Sequence, residues 1–221
     1  MPALTEVLGK VPATALAVLL GLQVGCADGE RGAPAAGDRG TREAENLVVC
    51  YALGTDAFGR AVDAVGGQPL DSTMNFENPD FAEGLAHYRR CFAGEFSFTL
   101  LYDGVPALTV PDPATRSQDT DAALEWANYV NNSFREAGYR NTQHHMGSVT
   151  SSLNGSSGRV QSYLIATHTY DDAASATGAL VIGGTYVDDV TRERDRWLIR
   201  ARSLDITSSL HIPGEESPNG S

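Results

Sequence analysis

Basic charge is what this chain has least of. Sixteen basic residues, with a single lysine at Lys10, stand against 28 acidic ones, for a formal net charge of -12. Attraction to phosphate backbones and anionic lipid is thereby disfavoured, and no nucleic-acid partner is expected. Cysteine is scarce as well: Cys26, Cys50 and Cys91 lie far apart without paired spacing, so neither a zinc site nor a disulfide framework is encoded. No apolar run reaches the ~20 residues of a membrane-spanning helix. A glycine-rich phosphate loop opening a helix, a His-Glu-x-x-His pair and a Gly-x-Ser-x-Gly elbow are all missing, and the reaction classes built on them lose weight. The remainder is ordinary globular material, 42% apolar and 20% charged over 221 residues, enough for one hydrophobic core with tails.

The longest apolar run, Val11 to Leu22, has the length of a signal-peptide core and ends in Gln23-Val24-Gly25-Cys26, which resembles a bacterial lipobox with Cys26 as the lipidated residue. Gln23 departs from that pattern. The expected location is therefore outside the cytoplasm, lipid-anchored in a bacterial envelope; a retained N-terminal helix would instead leave the protein in the cytoplasm. Ala27 to Gly40 holds no large apolar residue and reads as a flexible tether, as does the Pro-Gly-rich end from Pro213. The organisation is thus a leader at 1–26, a linker at 27–40, one domain at 41–212 and a tail at 213–221.

Within that domain Leu47, Tyr51, Phe58 and Val62 recur at near-helical spacing, and Asn78-Pro79-Asp80 caps a second helix that runs through Cys91. After a short strand at Phe96–Tyr102, a Pro-rich loop leads to a third helix near Asp121–Ala137, with Trp126, Val130 and Phe134 on one face and Gly138 at its end. Four β-rich stretches follow, Gln143–Leu153, Arg159–Tyr170, Gly178–Val190 and Trp197–Thr207, separated by turn signals. Helices followed by a meander predict an α+β domain in which a curved antiparallel sheet is wrapped by three helices into a cone-shaped barrel with an internal pocket. Phe58, Tyr88, Phe92, Trp126 and Phe134 should be buried between the layers. Cys50 and Cys91, on the first two helices, are expected as buried thiols, with a disulfide between the helices as the alternative.

Polar groups on otherwise apolar elements are the candidates for chemistry. Tyr51 and Asp56 lie on the first helix, His144 and His145 open one strand, and His168 closes the next. If those strands pair through Asn154-Gly155, His144 and His168 share one end of the hairpin. A neutral imidazole accepts a proton near neutral pH, and a carboxylate beside it stabilises the resulting cation. Adjacent histidines point to opposite faces, so only one of His144 and His145 enters the core, and hydrophobicity alone slightly favours His145. Gly183-Gly184 reads as a bulge, and the arginines at 192, 194, 196, 200 and 202 as a solvated strand face and turn.

The segments Cys50-Tyr-Ala-Leu-Gly-Thr-Asp56, Thr142-Gln-His-His-Met-Gly147, Gly184-Thr-Tyr-Val-Asp188 and Arg196-Trp-Leu-Ile199 resemble the SnoaL-like family of the nuclear transport factor 2-like superfamily, over about Thr41 to Ser209. Its members include polyketide cyclases, dehydratases, isomerases and noncatalytic ligand binders. The local likeness is to its scytalone dehydratase and bile-acid dehydratase branches. It implies catalytic roles for His144, Asp56, His168 and Tyr51, with His144 as the proton acceptor, Asp56 orienting it, Tyr51 donating to an enolate oxygen and His168 helping to protonate a leaving hydroxyl. Met146, Tyr170 and Thr185 are expected to contact the substrate. The implied function is acid–base catalysis (dehydration, isomerisation or cyclisation) on a small, largely apolar oxygenated compound, without metal or organic cofactor; the alternative is an exported, noncatalytic binding module with the same fold. A metal site on His144, His168 and Asp171 is a distant third. A small apolar oxygenated ligand is the expected partner, with further copies in a homo-oligomer as the other partner class and a membrane reached only through lipid on Cys26.

Overall fold

A computed structural model of the chain describes residues 36–64, 77–110, 121–171 and 177–214. The leader, Cys26, the first part of the linker and the tail from 215 lie outside the described residues. Three helices, α1 (Ala36–Ala64), α2 (Pro79–Cys91) and α3 (Ala122–Glu136), accompany six strands, β1 (Phe92–Tyr102), β2 (Val105–Val110), β3 (Tyr139–Asn154), β4 (Ser157–Asp171), β5 (Thr177–Glu193) and β6 (Arg196–Ile212). Helix α1 starts five residues inside the expected linker, so the tether does not extend to Gly40.

Helices α2 and α3 begin at capping residues that the sequence marks. The Asn78 side chain accepts from the backbone N–H groups of Asp80 and Phe81, with Pro79 at the first helical position. Asp121 caps α3 in the same way through Leu124, and Gly138, at φ 71°, turns the chain into β3. The β5–β6 connection is a two-residue turn, Arg194 and Asp195, both at positive φ as a tight hairpin demands.

The sheet runs in the order β2-β1-β6-β5-β4-β3. It has six strands rather than the five expected, and it is mixed, because β1 and β6 pair in parallel while every other pair is antiparallel. β2 escaped the sequence reading because Pro106 argues against a strand interior, yet β2 is an edge strand, where a missing N–H is tolerated. With β2 and β3 as free edges the sheet curves without closing into a barrel.

The helices cover one face of this sheet. Phe58, Tyr88, Phe92, Trp126 and Phe134 are all buried there, and Phe58 meets Phe81 and Tyr88 at ring-centroid distances of 5.2 and 5.1 Å. Each such side chain contributes about 1.5–3 kcal/mol through burial. Cys50 and Cys91, expected as thiols, form a disulfide: α1 and α2 pack closely enough to bring their Cα atoms to 6.2 Å, inside the range a bridge spans. Against β3, α1 comes closer still at Gly59, where a Cβ atom would lie 2.7 Å from the backbone nitrogen of Thr142. Only glycine permits that approach, and it brings Asp56, one turn earlier, to the strand that carries His144.

Candidate active site

The β3–β4 hairpin holds both histidines in register. Thr142 faces His168 across the pair and His144 faces Ala166, so the two histidines are diagonal neighbours on the inner face. Their rings meet edge to face at 5.8 Å. His145 is exposed, so His144 is the inward one, against the weak hydrophobic signal and in line with the family resemblance.

His144 is held by Asp56 at two points. Its backbone N–H donates to Asp56 Oδ2 at 3.2 Å, and its Nδ1 lies 2.7 Å from Oδ1. A carboxylate only accepts, so Nδ1 carries the proton, and in the neutral ring the lone pair is on Nε2. The His144 side chain is 5% exposed and that of Asp56 19%. This arrangement suits a general base, since the carboxylate fixes both ring orientation and tautomer and stabilises the cation formed on proton capture.

Both histidines and Tyr51 line a cavity of about 90 Å³. Its wall is aromatic and aliphatic, with Phe98, Trp126, Phe134 and Tyr186 among its rings. Burial pushes the pKa of His168 down to about 3, and His144 beside it adds to the effect, so His168 is neutral at neutral pH. It stacks on Tyr139 at 4.5 Å, and its Nδ1 has no hydrogen-bond partner among the described residues. Burial raises the pKa of the Tyr51 phenol, while Arg202 and neighbouring hydrogen-bonding groups oppose that shift. Tyr51 therefore remains a protonated donor.

The expected substrate contacts are not in the cavity wall. Thr185 is on the outer face of β5, because strict alternation turns its neighbours Gly184 and Tyr186 inward. Tyr170 is at the same end of the β3–β4 hairpin as His168, but it lies over Gly178 and reaches His211 Nδ1 at 3.2 Å instead of the cavity. Met146 packs against the core outside the cavity, one step along β3 from His144. Asp171, considered as a metal ligand, instead accepts from Arg140 at 2.6 Å on the surface. Among the described residues no group of His, Cys, Asp and Glu side chains is arranged to hold a metal ion.

One pair went unseen in the sequence. Asp188 and Arg202 face each other across β5 and β6, both on the inner face, joined by Nε–Oδ1 and Nη2–Oδ2 bonds of 2.5 Å. The Arg202 guanidinium lies 3.9 Å above the Tyr51 ring and 4.6 Å from that of Tyr186. It is not the solvated arginine expected, because a register shift between Asp189 and Val190 leaves Arg200 as an extra residue in β6, so that Ile199 and Arg202, three apart, both turn inward. Burial works against the guanidinium charge, and Asp188 more than offsets it.

A family model described as a SnoaL-like domain matches residues 85–203, more than half of the 221 residues. Solved structures of the same fold include the Kfla4162 protein from Kribbella flavida, 15% identical with a TM-score of 0.50, covering 76% of this chain and 91% of that one. A type 2 hexachlorocyclohexane dehydrochlorinase (LinA) is 12% identical with a TM-score of 0.51, covering 81% and 94%. The type 3 enzyme from Novosphingobium barchaimii LL02 is 9% identical with a TM-score of 0.50, covering 80% and 92%. No curated protein matches the sequence.

Proposed function

Since the chain belongs to the SnoaL-like domain family, whose fold encloses a pocket between helices and curved sheet, we propose that the cavity is the active site of an enzyme that works by acid–base chemistry on a small, largely apolar oxygenated compound. The observation that carries this reading is the His144–Asp56 pair at the wall of an apolar cavity, with the lone pair of the neutral His144 ring on Nε2.

For a dehydration, His144 Nε2 takes the proton from the carbon next to a carbonyl, and Tyr51 donates a hydrogen bond to the enolate oxygen that forms. The electron pair then expels the β-hydroxyl. Because His168 stays neutral, the proton that accompanies the leaving oxygen comes from the His144 imidazolium, and water departs with the base restored. His168 serves as a hydrogen-bond partner and not as the acid assigned to it on sequence. Isomerisation uses the same first step, with the proton returned to a different carbon. At about 90 Å³, below the ~150 Å³ of an apolar cavity that takes benzene, the site calls for a compact substrate and for its walls to give when a ring enters.

Export, with lipid on Cys26, belongs to the same proposal; the Cys50–Cys91 disulfide supports an oxidising compartment. Intact mass of protein from the native host checks it, and a mature chain that starts at Met1 refutes it.

The catalytic test is turnover of single-ring β-hydroxy ketones by the wild type, His144→Ala and Asp56→Asn. Asp56→Asn presents the wrong tautomer and should lower kcat by roughly 10³–10⁴, as should loss of the base. Compounds that bind all three proteins equally and are never converted would leave only the noncatalytic binding module.

A further inference from the structure

The helices pack on the inner face of the sheet and leave its outer face open. Among the described residues, four of the large apolar side chains that reach solvent stand on that outer face. They are Tyr163 and Ile165 on β4, 55% and 54% exposed, and Leu210 and Ile212 on β6, 51% and 46% exposed. The patch is continuous, because the β5 positions between the two strands are filled by Gly183 beside Ile165, Val181 beside Leu210 and Ala179 beside Ile212.

The same face is short of charge. From Gln161 to Thr169 along β4, and at the positions paired with that stretch on β3, β5 and β6, the outward side chains include one carboxylate, Asp205, and no lysine or arginine, in a chain that is 20% charged. Asp205 itself accepts from the backbone N–H of Gly104 at 2.9 Å. Charge returns towards the strand ends, in the pairs Arg159–Asp189 and Arg140–Asp171. A free surface carries charge to stay soluble, whereas the centre of an interface is depleted of it. A basic partner would be drawn to the acidic surfaces elsewhere on this chain of net charge -12, not to an uncharged patch. Two copies, by contrast, can meet here without setting carboxylates against carboxylates.

We propose that the protein forms a two-fold dimer in which the outer faces of β3–β6 pack on each other, with Tyr163 and Ile165 at the centre and the two cavities on the far sides. The patch is large enough: strands ~4.8 Å apart and outward positions about 6.6 Å apart along each strand give roughly 600 Å² in plan for each copy, and the ~1,200 Å² of the pair is where specific interfaces begin. Its relief also suits a surface that must fit itself, since a two-fold contact sets the raised positions of one copy against the low positions of the other. Tyr163 stands beside Gly147, where a Cβ atom would meet nothing within 4 Å, and Ile165 beside Gly183, over which only the Ser208 side chain leans. The inference is independent of the chemistry assigned to the cavity.

Sedimentation equilibrium of the full chain is the test. At roughly 100 µM, above the micromolar Kd at the weak end for interfaces of standard area, the wild type should have the mass of two copies. Ile165→Glu and Tyr163→Glu each put a charge at an exposed position and should weaken association at least about thirtyfold, with the circular dichroism of the fold kept. Leu53→Glu, at a position of α1 that is 50% exposed, is the control and should leave the dimer as it is. The apolar run Val11–Leu22 is common to all these chains, so a difference among them reports the sheet face. Added salt should strengthen the dimer, because it screens the repulsion between two chains of net charge -12. A wild-type monomer, a mass other than two copies, a dimer untouched by both β4 variants or broken by Leu53→Glu, or one that weakens with salt overturns the proposal. A dimer with no compound turned over keeps this inference and removes the acid–base reading.

Discussion

Replacing Arg202 by methionine removes the one ion-pair partner, among the described residues, of a carboxylate that the sheet buries completely: the side chains of Arg202 and Asp188 are 0% and 1% exposed. The cost follows from that burial. With one partner gone, an uncompensated charge is left inside the fold, and such losses run to about 3–5 kcal/mol. For a domain of this size that lowers Tm by roughly 6–20 °C. Asp188→Asn should cost about as much from the other side, since the guanidinium cannot shed its proton.

The same strand supplies an internal control. Asp189, one residue on and therefore on the outer face, meets Arg159 at 3.3 Å with side chains 42% and 66% exposed. Solvent screens that pair, and Arg159→Met should cost under about 1 kcal/mol. Urea unfolding followed by circular dichroism compares the variants. The double variant Asp188→Leu/Arg202→Met, which replaces charge by apolar volume, should recover most of the single-variant loss. Catalysis should not recover with it, because Tyr51 loses the cation that lies over its ring. If Arg202→Met costs no more than Arg159→Met, or the double variant is as unstable as the two single losses added, the reasoning about burial is wrong.

His168 makes stability depend on acid. With its pKa near 3 when folded, against about 6.5 unfolded, its contribution is fully present above pH 6.5 and is lost as the pH falls towards 3, for a total of roughly 5 kcal/mol. His168→Gln should flatten that part of the pH–stability curve, and an unchanged slope between pH 6 and 4 would refute a buried neutral imidazole. For the disulfide, a separation of 41 residues between Cys50 and Cys91 corresponds to about 4 kcal/mol of unfolded-state entropy. Reductant should therefore lower Tm, and thiol titration of the unfolded, unreduced chain should leave both cysteines unlabelled; two free thiols there would overturn the bridge.

The difference between what the sequence reveals and what it hides lies in how far each signal reaches along the chain. Asn78-Pro79 and Asp121 announce their helices because a cap is a contact over two or three residues. The turn at Arg194-Asp195 is as local, whereas the register shift opposite Gly183-Gly184 has its extra residue, Thr207, in β6 and not at the glycines read as a bulge. Asp188 was also within reach: Leu180, Ile182, Gly184, Tyr186, Asp188 and Val190 occupy alternate positions, all buried, and a charge in such a series needs a buried partner. The partner itself was not. Parity counted from Ile199 puts Arg202 outside, and only the extra residue at Arg200, visible through pairing with β5, turns it in. Thr185 failed by parity alone, since its place in a family motif located it along β5 without choosing a face. The parallel β1–β6 pair was hidden for a related reason, as turn residues report only on consecutive strands. Asp56 and His144, 88 residues apart, lie between these cases. Helix spacing and strand pattern placed each on an inward-capable element, but their meeting depends on Gly59 letting α1 settle onto β3 at Thr142. A glycine inside a helix weakens it wherever it stands, so its presence one turn after a lone aspartate was the one local hint that the helix makes a close contact there.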